Sequence, residues 1–85
     1  MKNYKELESE IFLIRDNDSD PNIWFQNIIG YYENQMSIIW SEASEDKRNV
    51  QKINKNIDRL IRNLYKEVEP KLNDDVKLLY EMKMK

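Results

Sequence analysis

The chain contains no cysteine and no histidine, and it has a single glycine among 85 residues. Without cysteine it forms no disulfide and offers no thiolate to a metal, which suits a reducing compartment. Without histidine it lacks the side chain most often used as a general base near neutral pH and as a metal ligand. One glycine excludes the glycine-rich loops that hold phosphates. These absences predict a protein that is not an enzyme and has no metal and no cofactor.

Long apolar runs are also missing. The longest, Ile11 to Ile14, is far shorter than the ~20 residues that span a bilayer. No apolar segment follows the first lysines, so the sequence shows no secretory signal. We therefore expect no membrane insertion and a cytoplasmic location, either in the parent organism or in a host cell. With 35% charged and 40% hydrophobic residues, the chain has the balance of a folded, helix-rich protein.

Helical periodicity covers most of the chain and predicts one domain, residues 1–85, with an all-α fold. We expect a small helical bundle built on a long antiparallel hairpin, with a short N-terminal and a short C-terminal helix. The four helices are predicted at about residues 3–15, 21–41, 45–69 and 73–83.

Capping residues and proline place the helix boundaries. Asn3 with Glu6 has the spacing of a capping box, and Asp20 followed by Pro21 is a favoured helix start. Ser44 is the expected cap of the third helix, although one unbroken rod through the second and third helices is the alternative. Pro70 should end the third helix, and Asn73 or Asp74 should cap the last.

The second helix carries too wide an apolar arc for a single neighbour. Its apolar side chains cover roughly 200° of its circumference, about twice what one packing partner covers. Covering this arc requires neighbours on two sides, and we expect its short neighbours to leave part of it open. Self-association into a homodimer is the predicted consequence. The candidates for contact outside the protomer are Trp24, Tyr31 and Trp40.

The opposite face of the second helix is polar and small. It carries Gly30, Asn34, Ser37 and Ser41. This line of residues either is simply exposed or lets another backbone approach closely.

Charge is segregated along the chain. Residues 1–46 contain 10 acidic and 3 basic side chains, whereas residues 47–66 contain 7 basic and 1 acidic. The third helix is also the most regular, with an apolar seam of Val50, Ile53, Ile57, Leu60 and Leu64 and with Ile61 and Val68 alongside it. Opposite that seam runs a line of cations about 27 Å long at 1.5 Å per residue. We call this line the basic stripe: Arg48, Lys52, Lys55, Arg59, Arg62 and Lys66.

Three interpretations of the basic stripe remain open. It is a solvated face, a docking surface for an acidic protein or a second copy, or a contact for nucleic acid or a nucleotide. An ordinary solvated face mixes both signs of charge, which this one does not. The acidic first half would repel a DNA duplex. We therefore favour a non-enzymatic module that binds and regulates or inhibits a macromolecular partner, with nucleic-acid binding as the alternative.

In size and helical composition the chain is similar to small phage or plasmid inhibitors and immunity proteins. No motif ties it to one family. What this similarity implies is a binding role for the chain.

A calcium loop is the second alternative, at residues 16–20. Asp16, Asp18 and Asp20 have the first, third and fifth spacing of an EF-hand loop. The sixth position is Pro21 where that loop needs glycine, and the twelfth is Asn27 where it needs a bidentate glutamate. These departures favour a polar connector over a metal site.

Overall fold

In the computed structural model, which describes residues 2–43 and 46–84, the chain forms four α-helices and one 3₁₀ turn. All regular structure in the described residues is helical, which confirms the all-α prediction. The elements are α1 (Tyr4–Asp16), α2 (Pro21–Glu42), α3 (Lys47–Val68), the 3₁₀ turn (Glu69–Lys71) and α4 (Asp74–Met84).

Side-chain caps begin α1 and α2 where the sequence predicted them. The Asn3 side chain accepts from the backbone N–H of Glu6 at 2.9 Å. The Asp20 side chain accepts from the backbone N–H of Asn22 at 2.9 Å, and Pro21 opens the helix. Each cap satisfies an amide that has no carbonyl partner within its own helix.

The second and third helices are separate rather than one rod. Ala43 follows α2 with a non-helical ψ of 70°. Asp46 caps α3, where its side chain accepts from the backbone N–H of Asn49 at 3.2 Å. The predicted cap, Ser44, lies outside the described residues.

Pro70 ends α3 in a way that differs from the prediction. Glu69, the residue before it, keeps helical angles (φ −45°, ψ −46°), and the chain first becomes extended at Leu72. Pro70 has no N–H to donate to a carbonyl four residues back. The last turn therefore tightens into the 3₁₀ form, with the Leu72 N–H donating to the Glu69 carbonyl at 3.1 Å.

The core is built around α2, which packs against α1, α3 and α4. Its wide apolar arc is therefore covered from several sides, as its circumference requires. The buried residues of α2 are Trp24, Phe25, Ile28, Ile29, Met36 and Ile39.

The buried seam of α3 differs at one position from the predicted one. Ile61 is fully buried, whereas Leu60 is half-buried at the edge of the core. A straight α-helix drifts by about 20° per heptad relative to a strict seven-residue repeat, and this drift leaves Ile61 closer than Leu60 to the inward direction. Val50, Ile53, Ile57 and Leu64 are buried as predicted.

Specific contacts fix how the helices lie along one another. The Tyr32 hydroxyl donates to the Asn54 side chain at 2.9 Å, and the rings of Phe25 and Tyr65 lie 5.7 Å apart. Tyr65 also stacks on Tyr80 of α4, with ring centroids 3.7 Å apart.

The position of α4 follows from a contact at each of its ends. The Asn73 N–H donates to the Asn22 side chain at 2.6 Å, and the Lys83 ammonium lies 2.7 Å from the Glu33 carboxylate. The earlier residue of α2, Asn22, meets the start of α4, and the later one, Glu33, meets its end. α4 therefore runs beside the N-terminal half of α2 in the same direction.

Candidate interaction surface

The basic stripe lies on the outer face of α3, opposite the buried seam. Five of its six side chains are exposed. Among the described residues, no carboxylate forms an ion pair with any of these five. The exposed members are Arg48, Lys52, Lys55, Arg59 and Lys66. They form a cationic line that is open to solvent.

Arg62 is the exception, because it is half-buried and engaged within the fold. Its guanidinium bonds the Asp58 carboxylate at 2.7 Å and also donates to the backbone carbonyl of Met84. The hydrogen bond to Asp58 raises the pKa of Arg62 above its usual value. This arginine therefore fastens the end of α4 to α3 and is not available to a partner in the way that the other five are.

The N-terminal half of the basic stripe offers more than charge. Arg48, Lys52 and Lys55 line a shallow, open depression together with Gln51 and Asn54. All five side chains can donate hydrogen bonds, three of them with a positive charge. Such a set suits carboxylate or phosphate oxygens. Sequence reasoning missed the two amides, although Gln51 stands one turn from both Arg48 and Lys55, and Asn54 directly precedes Lys55.

The aromatic candidates of α2 separate into one core residue, one half-buried residue and one exposed residue. Trp24 is 6% exposed, which corrects its prediction as a contact outside the protomer. Its ring packs edge-on against Phe25, so the core uses the surface that was predicted to need a partner. Trp40 is 39% exposed and remains accessible.

Tyr31 is half-buried against the core. The Lys2 ammonium lies 5.8 Å from the centroid of its ring. Its hydroxyl oxygen is buried and has no hydrogen-bond partner among the described residues. Tyr31 therefore keeps only part of its surface accessible, and its hydroxyl is not in that part.

Four other tyrosines have a raised pKa, and burial is the first cause in each. They are Tyr4, Tyr32, Tyr65 and Tyr80. At Tyr4 a hydrogen bond with Glu8 adds to the rise, and the nearby charge of Arg59 opposes it. These phenols stay protonated at neutral pH, and two of them are seen to donate: the Tyr4 hydroxyl to Glu8 and the Tyr32 hydroxyl to Asn54.

The carboxylates of the α1–α2 connector bond to their own stretch of chain. Asp16 pairs with Arg15 at 3.1 Å, Asp18 accepts from the N–H of Asp20, and Asp20 caps α2. Nowhere in the described residues do three or more potential metal ligands come together. The connector thus has the geometry of a helix start.

Sequence reasoning also missed two apolar side chains on the outer face of α4. Leu78 is 55% exposed and Met82 is 68% exposed, one turn apart. The four-residue spacing that places them together is visible in the sequence, but only the packing of α4 shows which face points outward.

No protein-family model, curated protein or solved structure matches this chain. None of the helices in the described residues has the length and apolar content needed to cross a membrane.

Proposed function

We propose that this protein is a non-enzymatic interaction module that docks an acidic protein on the basic stripe and thereby regulates or inhibits it. One observation carries the proposal. Five cations, Arg48, Lys52, Lys55, Arg59 and Lys66, are exposed along one face without an acidic partner in the described residues. Unpaired charge of one sign steers association and selects complementary partners.

The fold proposed for this module is an antiparallel hairpin of α2 and α3. Two contacts support it: Tyr32 bonds Asn54, and Phe25 lies against Tyr65. The earlier residue of α2 thus meets the later residue of α3, as expected for two helices that run in opposite directions. Such a hairpin holds α3 rigid, so the cations of the basic stripe keep a fixed spacing.

A matched pair of charge reversals tests the proposal. We expect Lys52→Glu with Lys55→Glu to weaken partner capture from the native cell at least tenfold, because it replaces two attractive charges by two repulsive ones. The control is Lys5→Glu with Lys71→Glu, which changes net charge equally at exposed sites outside the stripe. Captured proteins are identified and quantified by mass spectrometry.

Both double variants should keep the helicity and melting temperature of the parent chain, because all four lysines are exposed. Equal capture by the stripe variant and the parent protein would show that the basic stripe only keeps the chain soluble. Arg62 is left intact in this experiment because its substitution would also release α4.

Nucleic-acid binding is the second candidate. The observation that favours it is the depression of three cations and two amides, since such side chains contact phosphate oxygens. Titration with labelled single-stranded DNA, duplex DNA and RNA at low and high salt checks it. An affinity that falls steeply with salt supports this candidate, and no binding at low salt removes it.

A regulatory or inhibitory effect on the partner and a cytoplasmic location stay predictions from the sequence. Self-association is a separate proposal, because the residues that support it lie outside the basic stripe.

A further inference from the structure

One side of the molecule is stepped, because α4 covers only the first half of α2. We call the half that α4 covers the raised half and the other the recessed half. α4 has 11 residues and α2 has 22, so at 1.5 Å per residue α4 covers about half the length of its neighbour. The end of α4 lies level with Glu33, through the ion pair with Lys83. Beyond Glu33, the groove between α2 and α3 continues for about 14 Å without a third helix over it.

Trp40 lies in this uncovered part of the groove. It follows Glu33 by seven residues, which is two helical turns, so both side chains lie on the face of α2 that carries α4. On α3, Asn54 and Tyr65 are three turns apart on one face, and Tyr65 stacks on Tyr80 of α4. We call this uncovered groove the open seam; its walls carry Trp40, Gln51 and Asn54.

The raised half of the step presents an apolar surface of its own. Leu78 and Met82 point away from the protomer, while Val76 and Tyr80 of the same helix point into its core. α4 is therefore apolar on two opposite faces, and only the inner one is covered. Its first turn is acidic, with Asp74 and Asp75 both exposed.

We propose that two copies of the chain form a twofold dimer in which α4 of each copy lies over the open seam of the other. A twofold axis across the middle of this side turns the raised half of one copy toward the recessed half of the other. Leu78 and Met82 then cover Trp40 of the second copy, so both exposed apolar surfaces leave water together.

Charge complementarity supports a second copy as the occupant. The twofold directs the acidic first turn of α4, with Asp74 and Asp75, toward the end of the open seam where α3 begins. That end carries Lys47 and Arg48, both exposed. Arg48 is thereby engaged at one end of the basic stripe. On the outer face of α3, the stripe members Lys52, Lys55, Arg59 and Lys66 stay uncovered in this dimer and remain free for the partner proposed above.

The dimer is tested by light scattering and sedimentation equilibrium on the full chain at rising concentration. We expect a mass of twice the 10.4 kDa protomer. Leu78→Glu with Met82→Glu, and separately Trp40→Ala, should each raise the dissociation constant at least tenfold. Leu13→Glu is the control, since Leu13 is 67% exposed on α1 and lies outside the proposed contact.

Mixing the two defective variants tests the reciprocal geometry. In a mixed dimer, the intact α4 of the Trp40→Ala chain meets the intact open seam of the Leu78→Glu, Met82→Glu chain. We expect the mixture to recover dimer that neither variant forms alone, whereas a contact of α4 with α4 would give no recovery.

Two other outcomes would overturn the proposal. A monomer at every concentration would remove it, and so would a dimer that survives both sets of substitutions. Circular dichroism of each variant confirms that the helices are kept, so that unfolding is not mistaken for dissociation. Neither result bears on partner capture by the basic stripe, because Lys52 and Lys55 are unchanged throughout.

Discussion

Asn22 joins the start of α2 to the start of α4 through its side chain. Its amide oxygen accepts from the Asn73 N–H at 2.6 Å, and its amide nitrogen donates to the Lys71 carbonyl at 3.4 Å. Such a link is long-range in sequence, so it restrains the turn between α3 and α4 directly.

We expect Asn22→Ala to destabilise the protein by about 1 kcal/mol, because two backbone groups lose a partner. Thermal unfolding followed by circular dichroism measures the change. Asn27→Ala is the matched control, since Asn27 is exposed on the same helix and its replacement should be neutral or slightly stabilising. Equal stability of the two variants would show that the link contributes nothing.

Trp40 and Trp24 show how one residue type takes two roles on one helix. Trp24 stands where α2 has neighbours, and it is buried. Trp40 stands beyond the end of α4 and keeps 39% of its surface exposed. Sixteen residues separate them, so at about 100° per residue they lie on nearly opposite faces of α2, and the difference comes from which face each residue occupies.

At the scale of the helix, α2 contains the only glycine of the chain, on its outer face. A Cβ added at Gly30 would meet no heavy atom within 4 Å. Asn34, Ser37 and Ser41 are exposed beside it. Within one protomer this line of small residues is therefore a solvent-facing surface, and glycine there lowers helix stability without a packing benefit.

Gly30→Ala should stabilise the protein by about 1 kcal/mol, through the loss of backbone freedom in the unfolded chain. For a domain of this size, we expect the melting temperature to rise by about 4–8 °C. Ser37→Ala serves as the comparison and should give a smaller rise. A fall in stability on Gly30→Ala would mean that another chain packs against this face.

At the scale of the whole molecule, four tyrosines make the stability of the folded state sensitive to alkaline pH. Tyr4, Tyr32, Tyr65 and Tyr80 each have a folded-state pKa above the value of 10.0 expected in the unfolded chain, chiefly because burial disfavours the phenolate. The folded state therefore holds these protons more tightly. This contribution to stability is full below pH 10 and is lost as the pH rises through the folded-state pKa values.

We accordingly expect the melting temperature to fall as the pH rises above about 10, together with the appearance of tyrosinate absorbance. The Tyr32→Phe variant, which has one fewer titrating phenol, should show a shallower fall. A melting temperature that stays constant over this range would contradict the burial of the four phenols.

The fold was predictable to the extent that it depends on local chemistry. Caps at Asn3 and Asp20, the stop at Pro70 and the apolar spacing of α3 are properties of neighbouring residues, so the sequence places the helix ends within about two residues of their positions. Ile61 takes the buried position predicted for Leu60, because the direction in which side chains point drifts along a helix relative to a strict seven-residue repeat.

The candidate surface was predictable only in part. The basic stripe follows from helical periodicity, and five of its six cations are exposed as that pattern requires. Arg62 departs from it for two reasons. Asp58 stands four residues before it on the same helix and pairs with it, and α4 brings the Met84 carbonyl within its reach, 22 residues away in sequence. No pattern of neighbouring residues in the sequence indicates the contact between Arg62 and the Met84 carbonyl.

By itself the sequence determined an all-helical chain, the ends of its helices and a segregation of charge along α3, because each depends on residues close together in the chain. Tertiary structure alone decided which apolar side chains of α2 remain open, which cation is fastened to α4 and which face of α4 points outward. These depend on where one helix ends beside another, and that is set by packing between residues far apart in sequence.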